Sequence, residues 1–298
     1  MIKTAIVGFG NVGRCVHDAL AAAKDMELVC IVESPNVPVA HGMAGCWVSQ
    51  LKDIRIHGDV DVAILALPSR LCPDAAEELL AMGINSVDAF DVHEEIWTTK
   101  CRLDEVAKKH GAAGIIAAGW DPGSDSIVRA LFEAMAPSGL SYTDFGPGMS
   151  MGHTVAVKAM GGVKNALSMT IPTGSGVHRR MVYVELQEGA ALSDVTARIK
   201  NDSYFAHDET HVIAADDISS LTNMGHGVEI TRNGVSAKAH NQVLAFSMKI
   251  NNPALTGQIM VGAARAVVKC MPGCYTLLEI PVIDLLPGEQ GELIKRLV

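Results

Sequence analysis

The stretch Thr4-Ala5-Ile6-Val7 runs directly into Gly8-Phe9-Gly10-Asn11-Val12-Gly13, and residues 14–23 follow with Val16, Leu20 and Ala23 on one helical face. A short β-branched strand, a glycine turn and an amphipathic helix form the context in which G-x-G-x-x-G stands for a dinucleotide-binding turn. Gly8 permits the tight turn, and Gly10 lets a pyrophosphate approach the backbone. Gly13 lets helix pack on strand, with the helix's N-terminal amides facing the phosphates. Phe9, Asn11 and Val12 complete this expected cofactor-binding segment.

Residues 28–32 form a second predicted strand that ends at Glu33, about twenty residues past the last glycine, where an acidic side chain accepts hydrogen bonds from both adenosine-ribose hydroxyls. It would repel a 2′-phosphate, and no Arg or Lys lies between Glu33 and Lys52 to counter it. Taken alone, this position points to NAD. The alternation continues with a strand at 62–67, a proline-led helix at 73–82, a strand at 85–87 leading to Asp88, a helix at 101–110 and a strand at 113–117. Repeated β-α units predict a Rossmann-type doubly wound parallel sheet, an α/β fold whose ligands sit at the carboxyl ends of the strands. The loops to inspect are therefore residues 68–70, 88–93 and 119–126, and Leu67, Pro68, Ser69 and Arg70 are expected to contact the cofactor.

After a helix at 126–135 the pattern changes. Period-two strands are expected at 168–171, 182–186, 211–214, 227–232 and 242–250, with a helix at 192–200. This is an α+β pattern, suited to an open sheet that carries substrate contacts and can pair with another subunit. A small-residue helix at 254–269 and a final strand at 277–282 would return to the first domain. The expected division is residues 1–121 plus about 254–298 for the dinucleotide, and about 122–253 for substrate binding and dimerisation.

Composition bounds the rest. The 298 residues are 49% hydrophobic and 19% charged, the balance of a globular protein, and long enough for two cores. A net charge of -9 argues against nucleic acid or an anionic membrane as a partner. The apolar run at residues 1–10 is interrupted by Lys3 and is too short for a membrane span. It also lacks the features of a secretory signal. Seven cysteines, an odd number, read as reduced thiols of a cytoplasmic protein. Cys270 and Cys274 have no partner Cys/His pair, so no metal site is expected.

The polar chemistry concentrates in the strand-end loops. Gly119-Trp120-Asp121-Pro122-Gly123 offers a flat apolar wall and a carboxylate near the expected nicotinamide, and Asp88-Ala89-Phe90-Asp91 supplies more carboxylates from the neighbouring strand. Carboxylates converging in a cleft bind an ammonium and take its proton. Each Asp also has a structural reading as a cap or Asx turn, and for Asp88 the two readings stand about even. Further on, Phe145-Gly146-Pro147-Gly148-Met149-Ser150-Met151-Gly152-His153 forms a glycine-rich bend whose amides suit a carboxylate. Thr170, Arg180, His226 and Asn252 are polar residues amid apolar strands or at their ends. Arg180 is the best carboxylate anchor by chemistry, because its planar fork binds both oxygens; spacing alone selects none of the four.

These segments together resemble the meso-diaminopimelate dehydrogenase family. The resemblance rests on residues 8–13, 87–93, 119–123, 145–153, 168–172, 178–180, 225–227 and 251–253, and runs from Ile2 to Ile280-Pro281-Val282. It is closest to the shorter, broader-specificity branch, in which Gly-Trp-Asp-Pro-Gly is followed by a small polar residue, Asp and Ser, here Ser124-Asp125-Ser126. The resemblance implies NAD(P)-dependent, reversible oxidation of the D-centre of meso-2,6-diaminoheptanedioate to L-2-amino-6-oxoheptanedioate and ammonia. It places Asp91, Trp120 and Asp121 around the reacting centre, with Asp91 and Asp121 catalytic. Arg70, beside the nicotinamide, and Met151-Gly152 would help to hold that end. Phe145, Thr170, Arg180, His226 and Asn252 would hold or line the distal L-end. The family further implies a homodimer and NADP, although Glu33-Ser34-Pro35-Asn36 replaces the basic residues that follow the second strand in NADP-dependent members. The rival readings are a dehydrogenase for another amino acid, such as 2,4-diaminopentanoate or a simple D-amino acid, and a nucleotide-sensing regulator without chemistry.

Overall fold

The computed structural model describes residues 1–33, 46–221 and 225–298. In chain order the first elements are β1 (Ile2–Val7), α1 (Asn11–Ala22), β2 (Met26–Val32), β3 (Cys46–Val48), β4 (Val62–Leu65), α2 (Cys72–Ala81), β5 (Asn85–Asp88), α3 (Ile96–His110), β6 (Ala113–Ile115) and α4 (Ser124–Met135). The strands β7 (Ser138–Phe145) and β8 (Gly148–Met149) follow, then α5 (Met151–Lys158), β9 (Val163–Gly174), β10 (Val177–Leu186), α6 (Leu192–Asn201) and β11 (Glu209–Ala214). The chain closes with β12 (Gly225–Ser236), β13 (Ala239–Asn251), α7 (Asn252–Val267), β14 (Gly273–Tyr275) and α8 (Gln290–Leu297).

Two compact units emerge, Met1–Ile127 with Pro253–Val298, and Val128–Asn252. The first boundary falls later than residue 121 because the 119–123 turn bonds to the start of α4: the Ser124 amide donates to the Gly119 carbonyl at 3.1 Å and the Asp125 amide to the Trp120 carbonyl at 2.9 Å.

The first unit holds the expected parallel sheet, in the order β14-β6-β5-β4-β1-β2-β3. Its strands are apolar on both faces because both are covered. Ala5, Val7, Cys30, Ala63 and Leu65 pack with Leu79, Leu80 and Leu103 of α2 and α3. Their alternates Ile6, Ile31, Val62, Ile64 and Val87 pack with Val16 and Leu20 of α1 and Met260, Val261 and Ala264 of α7. Full burial of each large aliphatic side chain contributes about 1.5–3 kcal/mol. Small residues on α7 permit close approach: a Cβ on Gly257 would lie 2.9 Å from the Val16 amide nitrogen. Arg265 then clamps Asp25 through two bonds of 2.6 and 3.1 Å.

The C-terminal strand lies earlier than its apolar run suggests. Gly273–Tyr275 pairs in parallel with β6, whereas residues 277–279 form a 3-10 turn. Thr276 and Glu279 close a reciprocal capping box around that turn, and Pro281 carries no N–H for a ladder. The expected strand at 277–282 is therefore absent.

The second unit contains a four-stranded sheet, β11-β10-β9-β8, and a three-stranded sheet, β13-β12-β7. The helices α5 and α6 contribute Val157, Val195 and Ile199 to a core with Val163, Val182, Val184 and Phe205. The architecture is the doubly wound α/β domain with a second α+β domain that the sequence predicts.

Candidate active site

In the first unit, β1 leads into strand neighbours on one side (β2, β3) and β4 begins those on the other (β5, β6), so the sheet order reverses between β1 and β4. A ligand crevice belongs at the carboxyl end of that switch point. The loops that flank it are residues 8–13 and Leu67-Pro68-Ser69-Arg70. They touch: the Ala66 amide donates to the Val7 carbonyl at 2.8 Å, and a Cβ on Gly8 (φ +91°) would lie 2.6 Å from the Ala66 oxygen. Gly13 has no more room, since its Cβ would stand 2.1 Å from the Gly8 oxygen. Gly10, at the N-terminus of α1, is exposed, and a Cβ there would meet no atom within 4 Å. Two glycines locked by neighbouring backbone and one facing open space form a cradle that fits a pyrophosphate on a helix N-terminus.

Glu33 reaches this turn directly. Its Oε2 accepts the Phe9 amide at 2.5 Å, so the carboxylate stands against the glycine loop, where a ribose would lie. Ser34, Pro35 and Asn36 lie outside the described residues. Arg14 Nε donates to the Phe9 carbonyl at 3.5 Å, with its guanidinium over the Phe9 ring at 5.9 Å. Arg70 is exposed in the 3-10 turn Ser69–Leu71.

The two acidic loops follow adjacent strands, β5 and β6. Asp88 closes β5 and is fully buried, and it settles as a tie between them. Its Oδ1 accepts the Phe90 amide at 2.9 Å and the Ala117 amide at 3.3 Å, and its carbonyl accepts the Ala118 amide at 2.7 Å. Burial raises its carboxyl to about 6, against the lowering effect of the two amides. The structure thus makes Asp88 a brace; the half-buried Asp91 follows it in the same loop, and Asp121 lies in the neighbouring one, with the buried Asp125 at the start of α4.

Asp121 sits in a tight turn in which a Cβ on Gly123 (φ +144°) would overlap the Gly119 oxygen at 1.9 Å. Its side chain is 7% exposed, and Oδ2 lies 4.0 Å from Nε2 of the exposed His93. Trp120 beside it is buried. The inspected 88–93 loop therefore brings His93 beside Asp121, a partner with no spacing signal of its own.

In the second unit, the 145–153 segment is more ordered than a bend. Phe145 ends β7, Gly148 and Met149 pair with Thr170 and Met169, and Met151 and Gly152 open α5. The amides of this first turn have no intrahelical acceptor, which suits a carboxylate. The Phe145 amide donates to His178 Nε2 at 2.8 Å, and the two rings lie tilted by 37° with centroids 5.4 Å apart.

Arg180 and Thr170 are cross-strand partners on β10 and β9. The fully buried Thr170 hydroxyl accepts a hydrogen bond from Arg180 Nη1, and Arg180 Nε donates to Asp208 Oδ2 at 2.6 Å. His153 lies in the same environment, with Nδ1 2.7 Å from Ser150 Oγ and its ring against Tyr204 and Phe205. Burial, and then the nearby Arg180, push its pKa down to about 3, so it stays neutral. His226 in β12 and Asn252 at the start of α7 are both buried. Sequence reasoning did not single out Asp208, Ser150 or the pairing of His178 with Phe145.

Comparison with known proteins identifies the family. Residues 119–179 match the family described as diaminopimelic acid dehydrogenase C-terminal domain. The meso-diaminopimelate D-dehydrogenase of Bacteroides fragilis is 55% identical over 297 residues, spanning 100% of this chain and 99% of that protein. The DAP dehydrogenase of C. glutamicum, solved with DAP, superposes with a TM-score of 0.88 at 28% identity, covering 100% of this chain and 99% of its own. An engineered D-amino acid dehydrogenase bound to NADP+ gives 0.91 at 27%, with the same coverage. Fold and site define an oxidoreductase that works with a nicotinamide dinucleotide on a CH–NH2 group. The chain belongs to the meso-diaminopimelate D-dehydrogenase family.

Proposed function

We infer that this protein oxidises the D-amino-acid centre of meso-2,6-diaminoheptanedioate to L-2-amino-6-oxoheptanedioate and ammonia, and aminates 2-keto acids to D-amino acids in reverse. The observation that carries the reading is that the glycine cradle and the two braced acidic loops after β5 and β6 all leave the carboxyl end of one parallel sheet.

A bound nicotinamide dinucleotide supplies the hydride acceptor. Residues 8–13, Glu33 and Leu67-Pro68-Ser69-Arg70 hold it in this reading. Hydride leaves Cα only when the amine is neutral or losing its proton, so a carboxylate of Asp91 or Asp121 receives that proton. Trp120 forms the apolar wall beside the reacting carbon. Water then attacks the substrate imine and ammonia departs. At the distal end Arg180 binds the carboxylate, and Phe145, Met151, Gly152, Thr170, His226 and Asn252 hold or line the substrate. Recognition of the far end orients the reacting Cα–H, and the two ends of the substrate differ only in handedness.

Three finer points belong to the same reading. Glu33 weakens the family's preference for NADP and gives useful activity with NAD. The Ser124-Asp125-Ser126 sequence supports membership of the broader-specificity branch. The enzyme is a homodimer through the second unit; Leu244, Phe246, Met248 and Ile250 of the edge strand β13 lie half-buried on one face, supporting an apolar partner surface. Among the described residues no helix is long and apolar enough to cross a membrane.

The test is initial-rate formation of NADH or NADPH at alkaline pH with meso-diaminopimelate, D-lysine and D-alanine. Turnover of meso-diaminopimelate with either cofactor is expected. Activity with D-alanine far above diaminopimelate would favour a simple D-amino-acid enzyme, and no absorbance change with any substrate would favour a sensor.

A further inference from the structure

Arg180 is held from two sides. Thr170, its cross-strand partner, accepts from Nη1, and Asp208 takes Nε at 2.6 Å. Both members of the ion pair are largely buried, with side-chain exposures of 13% for Arg180 and 24% for Asp208. Neither contact uses Nη2, so that end of the guanidinium can meet a further acceptor. Asp208 is itself fixed. Its amide donates to the Phe205 carbonyl at 3.2 Å, its carbonyl accepts the Thr210 hydroxyl at 3.1 Å, and the Phe205 ring is buried in the core of the second unit. The turn that carries Asp208 is anchored by packing, so the carboxylate has a defined place before any ligand arrives.

We propose that Asp208 is a positioning residue that sets the demand of the distal subsite for a carboxylate, by fixing the Nε edge of Arg180 so that its terminal fork meets the substrate preoriented. The proposal rests on the reading of Arg180 as the distal anchor. An arginine tied at one edge loses little rotamer freedom on binding, whereas an untied one must be ordered by the substrate itself. Thr170 holds only the Nη1 end, and the other neighbouring groups do not restrain the Nε edge. His153 is neutral beside Arg180, and His178 uses Nε2 on the Phe145 amide. Asp208 therefore provides the only carboxylate bonded to this guanidinium among the described residues. A substrate without a distal carboxylate gains nothing from it.

The experiment compares Asp208→Ala, Asp208→Asn and Arg180→Met with the wild type, measuring KM and kcat separately for meso-diaminopimelate and D-alanine. Losing one charge-assisted restraint raises KM for meso-diaminopimelate about tenfold in Asp208→Ala, while kcat stays within about twofold. D-alanine kcat/KM is unchanged. Asp208→Asn, whose amide oxygen still accepts Nε–H, recovers most of the affinity. An unchanged KM for meso-diaminopimelate in Asp208→Ala, or an equal loss on D-alanine, overturns the proposal. Should Asp208→Ala fail to fold, Asp208→Glu carries the test: it keeps the charge but displaces the contact, so the same KM rise is expected and a wild-type KM refutes the role. If Arg180→Met leaves KM for meso-diaminopimelate unchanged, the reading of Arg180 as anchor has failed. If Arg180→Met raises KM and Asp208→Ala does not, only the role of Asp208 is overturned.

Discussion

Replacing Asp88 by Asn separates its bracing role from its charge. The carboxyl is fully buried and its pKa is raised from 3.8 to about 6, with desolvation the largest cause. Each tenfold change in proton affinity is worth about 1.4 kcal/mol, so keeping this group ionised in the fold costs about 3 kcal/mol at neutral pH. The folded state binds more protons than the unfolded state between those two values. Its contribution to stability is therefore greatest below about 4 and is lost as pH rises through about 6. Asp88→Asn removes the charge and keeps an oxygen that accepts the Phe90 and Ala117 amides. The variant should be more stable than wild type at pH 7, by at most about 3 kcal/mol. That advantage should shrink as pH falls from 6 to 4. Thermal melts of both proteins across that range measure it, and subtraction cancels carboxylates common to the two. Activity should stay within a few-fold, since the loops bearing Asp91 and Asp121 keep their tie. A variant less stable than wild type at pH 7, or one whose difference from wild type does not vary with pH, would refute this assignment.

Asp121→Asn should lower kcat by about 10²–10⁴-fold, the range for loss of a positioned proton acceptor, with the Kd for reduced cofactor nearly unchanged; normal turnover removes Asp121 from the mechanism. Glu33→Arg should shift kcat/KM toward NADP and away from NAD, and a strong NADP preference already present in the wild type would show that the glutamate does not act on the 2′-position. Gly13→Ala places a methyl 2.1 Å from the Gly8 oxygen, so cofactor Kd, followed by fluorescence, should rise at least tenfold; wild-type affinity would show that the turn is more pliant than its geometry indicates.

The first unit was legible because its strands are buried on both faces and therefore written as continuous apolar runs, such as Val62-Ala63-Ile64-Leu65. Its glycines are legible for a related reason, since neighbouring backbone leaves Gly8 and Gly13 no room for a side chain. The second unit obscures its elements. Ser138–Phe145 is exposed or half-buried along its length and mixes polar with apolar residues, so no alternation marks it as a strand. The glycines and Pro147 around residues 145–153 read as a bend and hid the start of α5 at Met151. Asp91 and Asp121 stand out as candidates because each lies in a strand-end loop, and their catalytic roles are what the family resemblance implies. The brace role of Asp88 could not, because burial decides between ligand and tie and local sequence leaves them even. Asp208 was hidden by distance, lying 28 residues from the arginine it holds.

A crystal structure with nicotinamide cofactor and meso-diaminopimelate bound together tests the central claim most directly. The account predicts the D-configured carbon at the acceptor ring, its amino nitrogen within hydrogen-bond reach of Asp91 or Asp121, and the distal carboxylate on Arg180. A complex in which both aspartates turn away from the reacting carbon, or in which the L-centre occupies that place, would contradict it.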